Sequence, residues 1–182
     1  MNSKKYLFLT FIIVALVQLA IPIKMIMEHE TILKIGKIYR FEIAPIDPSD
    51  PFRGKYVIVR LKENSFRPES MDENMQGDIY VLLHSTGPNG FATIKGLSKE
   101  KPAANEDFVK ARIDYSHDEL VYIRYPFDRY YLNETLAPKV EEDYFKMAND
   151  TLQKSYAIVY VQDGDAVIND LIINGKSVKD YH

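Results

Sequence analysis

The sequence predicts an α+β fold, mainly antiparallel β in a sandwich or partly open barrel with one late amphipathic helix, preceded by a single transmembrane helix. Three observations carry this expectation. Residues 6–23 (YLFLTFIIVALVQLAIPI) form an uninterrupted run without a charged side chain. Beyond it, short segments alternate apolar and polar residues with the period of two that half-buried strands require. Between the last of these segments lie Asp163-Gly164 and Asn174-Gly175, the dipeptides that best fit tight hairpin turns.

The N-terminal run extends through Met25, Ile26 and Met27 past Lys24, whose ammonium can reach the interface. At a rise of about 1.5 Å per residue, residues 6–27 span roughly 33 Å, which matches a hydrocarbon core of about 30 Å. A cleaved signal peptide would have a shorter apolar run and small residues at its cleavage site; Gln18, Leu19 and Ala20 supply no such site. An uncleaved signal-anchor is therefore expected. Residues 1–5, with Lys4 and Lys5, are assigned to the cytoplasm, residues 6–27 to the bilayer, 28–35 to a connector that can continue the helix, and 36–182 to an extracytoplasmic domain. Lys24, Lys34, Lys37 and Arg40 pull the other way, but a short charged N-terminus before an apolar run is what export machinery reads. The localisation expected is the cell membrane, single-pass.

With 182 residues, 46% hydrophobic and 27% charged, the chain holds one ordinary core and no disordered or polytopic composition. Its 13 Tyr and 9 Phe favour strands. Setting aside Lys4, Lys5 and Lys24 from the 23 basic residues leaves 20 against 26 acidic ones, so the domain is acidic and offers no basic groove for nucleic acid. The absence of cysteine excludes disulfides, thiolate catalysis and Cys-ligated zinc.

Strands are expected at 36–44, where Tyr39, Phe41 and Ile43 alternate with Ile38, Arg40 and Glu42, and at 55–62, 78–85, 91–94, 108–115, 119–125, 155–161 and 166–173. The helix is expected over 138–152: Val140, Tyr144, Met147 and Ala148 recur at helical spacing, Pro138 suits a first turn and Glu142 can pair with Lys146. The four histidines, 29, 84, 117 and 182, are too scattered for a zinc motif, and Asp114, His117, Asp118 and Glu119 read as a solvated turn, so no metal, cofactor or catalytic residue is assigned.

The densest motif is the loop 45–57, PIDPSDPFRGKYV. Three prolines stiffen it, Asp47 and Asp50 stand three residues apart, and Arg53 and Gly54 follow. The two carboxylates can cap turns, with Arg53 forking across to one of them, or the same groups can bind a cation or an anion at a rigid rim. This run resembles the signature of the GDYXXLXY-domain family, small bacterial proteins with an N-terminal membrane helix. Pro45, Asp47, Pro48, Asp50, Pro51, Arg53, Gly54 and Tyr56 are kept; within the naming motif Lys55 replaces Asp, Val59 replaces Leu and Leu61 replaces the last Tyr. A second block, 125–134, with Arg129, Tyr130 and Glu134, followed by Glu141, is similar to a later region of that family. The resemblance implies a tethered domain without established chemistry, often found beside polytopic membrane proteins. The partners expected are the lipid bilayer, through the N-terminal helix, and a polytopic membrane protein. The function expected is an accessory or ligand-binding component of a membrane complex. The alternative is an extracytoplasmic hydrolase using paired carboxylates from Asp47, Asp50 or Glu134.

Overall fold

A computed structural model describes residues 3–44, 56–68, 76–84, 90–131, 140 and 155–181. Helix α1, Ser3–Ile35, continues without a break through the expected connector. Its apolar side chains from Tyr6 to Met27 stand exposed, so nothing in the domain buries them. The last turns differ: Lys24 pairs with Glu28 at 3.6 Å and Glu30 with Lys34 at 3.8 Å, while Ile32 turns inward and is buried. Here α1 packs against two strands, β9 and β10, whose ranges are Tyr156–Gln162 and Asp165–Ile173.

The first sheet is antiparallel and ordered β1-β9-β10-β11, with β1 at Lys37–Glu42 and β11 at Lys176–Ser177. Register places Tyr39 opposite Val159 and Phe41 opposite Ala157, and all four are buried, as the alternation in 36–44 predicts. Both hairpin turns take positive φ at each central residue, 49° and 89° at Asp163-Gly164 and 50° and 79° at Asn174-Gly175. That backbone matches the right-handed twist of the flanking strands.

The second sheet is ordered β3-β7-β6-β4-β5, with β3 at Ser65–Phe66, β4 at Gly77–His84, β5 at Thr93–Ser98, β6 at Phe108–His117 and β7 at Leu120–Arg124. Single bridges, Ile43 to Leu61 and Val109 to Gly164, link this half of the molecule to the first sheet, so the strand system is nearly closed around one core. Inside it Phe41 contacts Tyr125 and Phe127, with ring centroids 5.7 and 5.4 Å apart. Burying an aromatic side chain of this kind contributes about 1.5–3 kcal/mol.

Three expectations need correction. The strand expected over 55–62 changes partners midway. Its first part, β2 (Tyr56–Ile58), pairs with β8 (Arg129–Tyr131), whereas Leu61 bridges Ile43 and the Lys62 N–H donates to the Glu42 carbonyl at 2.9 Å. The strand expected at 91–94 is shifted to Thr93–Ser98, because the Ala92 N–H is taken by the Arg40 carbonyl, 2.7 Å away, before pairing with β4 begins. The late amphipathic helix is not seen, because 138–152 lies outside the described residues except for Val140, which is helical and fully buried in the core.

Candidate functional site

The β2–β8 ribbon brings the two sequence blocks together. Tyr56 stands opposite Tyr131 and Ile58 opposite Arg129, and the Val59 N–H donates to the Asp128 carbonyl at 2.8 Å. Across the ribbon the Arg129 guanidinium lies over the Tyr56 ring, 5.2 Å from its centroid, and the Tyr56 and Tyr131 rings are 5.8 Å apart. Arg129 also lies 3.7 Å from Asp128. Of the candidate residues, Tyr56, Arg129 and Tyr130 are thus placed in one ribbon, while Asp47, Asp50, Arg53, Gly54, Glu134 and Glu141 lie outside the described residues.

Burial also accounts for two of the three departures from the signature, those at Val59 and Leu61. Val59 and Leu61, standing where the signature has Leu and Tyr, are both buried, so those positions ask for apolar bulk and not for a phenol hydroxyl.

Beneath the ribbon sits a carboxylate that the sequence did not single out. A bulge between Ile168 and Asp170 breaks the alternation of β10, and Asp170 and Leu171 are buried in succession. Both oxygens of Asp170 are engaged: Oδ1 accepts the Leu171 N–H at 2.8 Å and Oδ2 accepts the Ser177 hydroxyl at 2.6 Å. Burial, and then the charge of Asp170, raise the pKa of the Tyr130 phenol above its ordinary value. The available signal was weak, since Asp170 follows Asn169 in a strand that also begins with Asp165, and no pattern marks it until the bulge is known.

An open cleft of about 1330 Å³ runs from this ribbon to the base of α1. Met25, Glu28, His29 and Ile32 form the helix wall, and Ala166 and Ile168 of β10 lie on the floor. Lys110 and Arg112 of β6, with Arg124 of β7, line the side. Tyr80, Tyr130 and Tyr131 add aromatic surface, and Lys110 pairs with Asp165 at 2.9 Å. Such a cleft can receive an extended ligand or a partner's segment, with guanidinium groups to meet an anion and phenol rings to pack against apolar parts.

An acid-rich β domain carried on a long exposed apolar helix is the class of protein that these features define. The chain matches the family described as GDYXXLXY protein over residues 18–171, and it belongs to that family. No curated protein and no solved structure matches it.

Proposed function

We propose that the chain is a single-pass membrane protein whose β domain works on the extracytoplasmic side as an accessory, ligand-binding component of a membrane complex. The observation that carries this reading is the continuity of α1. Its apolar length leaves the domain exposed on all sides, and within its last turns it packs on β9 and β10 through Ile32. An anchor that continues as one helix into its domain holds the cleft at a fixed height and angle above a bilayer, which suits recognition of a membrane neighbour.

The hydrolase alternative requires convergent carboxylates with a free oxygen for proton transfer. The carboxylates that it names, Asp47, Asp50 and Glu134, lie outside the described residues, and Asp170, the buried carboxylate under the ribbon, has both oxygens occupied by the fold.

A photo-reactive residue in place of Tyr131, which is 69% exposed at the cleft's ribbon end, tests the reading in intact cells. The expected result is one discrete adduct with a polytopic membrane protein. Adducts confined to soluble proteins would contradict it.

A further inference from the structure

The cleft is continuous with a second opening. A groove of about 740 Å³ runs down α1 past Ala20, Ile23 and Met27, and shares Glu28, Ile32 and Asp165 with the cleft. A cleft that carries several charged side chains therefore adjoins a mainly apolar open groove along the helix. The same groove is lined by Asp163, so the β9–β10 turn stands beside the C-terminal half of α1. From that turn β6 leads away: Lys110 donates its N–H to the Gly164 carbonyl at 2.8 Å, and Arg112 follows two residues on, about 7 Å further along the strand.

The charge arrangement in the cleft is one that folding alone disfavours. Arg112 and Arg124 stand directly opposite each other on β6 and β7, and like charges at such positions destabilise a sheet. Arg124 is ion-paired with Asp114. Arg112 is exposed and, among the described residues, forms no ion pair, although Asp78 stands opposite it on β4. The nearer cations are neutralised, Lys110 by Asp165 at 2.9 Å and Lys101 by Asp163 at 2.8 Å. Among the described residues, the cleft cation that no carboxylate reaches within ion-pair distance is thus a guanidinium, the group whose planar fork matches two phosphate oxygens.

We propose that this composite site holds an anionic phospholipid of the membrane in which α1 sits, its phosphate on Arg112 and Arg124 and an acyl chain in the groove along Ala20, Ile23 and Met27. The headgroup layer is roughly 5–7 Å deep on each side of the hydrocarbon core, which is within the reach of an Arg standing two residues beyond the turn. This inference rests on the membrane anchoring proposed above and names the ligand of the cleft.

The test uses the full chain in two steps. Alkaline washing of membranes first establishes whether the chain is an integral membrane protein, which tests the anchoring by itself. Native mass spectrometry of the detergent-extracted chain then counts retained phosphatidylglycerol against phosphatidylcholine of the same acyl chains. Phosphatidylglycerol is expected to be favoured by about fivefold or more, the effect of roughly one cation at a charged membrane surface. Arg112→Gln with Arg124→Gln is expected to abolish the preference, Arg112→Lys to retain part of it, and the distant Lys179→Gln to leave it intact. Because Arg112 and Arg124 are exposed and losing both guanidinium charges relieves their mutual repulsion, these variants should keep the far-UV circular dichroism of the parent. Equal retention of the two lipids, or a preference that survives the double substitution, overturns the proposal. So does displacement of phosphatidylglycerol by millimolar inorganic phosphate, which would make the site one for a free anion.

Discussion

Gly36 donates its N–H to the Ile32 carbonyl at 2.8 Å, and a Cβ placed on Gly36 would lie 2.4 Å from that same oxygen and 3.3 Å from the Val161 nitrogen. The last turn of α1 is thus pressed against β9 at a position where only hydrogen fits. Gly36→Ala must push backbone apart, and the expected cost is about 1–3 kcal/mol, as for other overpacked sites. Denaturant unfolding of the full chain in detergent measures it; an unchanged midpoint would show that α1 is not held tightly on the sheet.

The stacking of Arg129 on Tyr56 is exposed enough to contribute modestly. A double-mutant cycle with Arg129→Ala and Tyr56→Leu is expected to give a coupling of about 0.5–1 kcal/mol, with Arg129→Lys retaining part of it. A coupling of zero would mean that the ribbon is held by its backbone hydrogen bonds alone.

Asp170 has the larger structural role. Asp170→Ala leaves the Ser177 hydroxyl and the Leu171 N–H without their acceptor, at an expected cost of about 1–3 kcal/mol, whereas Ser177→Ala should cost about 1 kcal/mol. Thermal or denaturant unfolding distinguishes the two. If Asp170→Ala is neutral for stability yet abolishes a binding activity, the carboxylate serves a ligand.

The Lys37 ammonium pairs with Asp107 beside the buried Tyr39. Burial works against the Asp107 carboxylate, but the hydrogen bond from Lys37, aided by the nearby Tyr39 hydroxyl, outweighs it and holds the pKa below its ordinary 3.8. The Tyr39 hydroxyl itself falls short of hydrogen-bond geometry with any partner, so Lys37 is the stronger influence. A depressed carboxylate pKa gives stability that is fully present above pH 3.8 and is lost as the pH falls through the lower folded value. Lys37→Met should therefore lower stability at neutral pH, and its difference from the parent should close in acid. A gap that stays constant down to pH 2 would assign the effect to packing.

Strand patterning was legible wherever one face of a strand meets the core and the other meets water. Tyr39, Phe41 and Ile43 announced β1, and the Asp-Gly and Asn-Gly dipeptides announced the β9–β10–β11 meander. Partner exchange was not legible, because Tyr56 to Lys62 reads as one strand whether it keeps one neighbour or changes from β8 to β1. The short strands β3 and β8 are two and three residues long, below the length at which alternation can be counted. For the site, Arg129, Tyr130 and Tyr56 were found through the two blocks they belong to. Asp170, Arg112 and Arg124 were not, since their significance depends on a bulge and on cross-strand register, which are tertiary facts.

The reading rests above all on α1 crossing a membrane with the β domain outside. It is the one described helix long and apolar enough to do so, and Lys4 and Lys5 precede its apolar run. Alkaline phosphatase and green fluorescent protein, each fused in separate bacterial strains after His182, report the two sides of the inner membrane. The account predicts an active phosphatase fusion that remains with the membranes after alkaline washing, and a dark fluorescent fusion. An inactive phosphatase paired with a bright fluorescent fusion would place the domain in the cytoplasm, and release of the chain by washing would show that α1 does not anchor it.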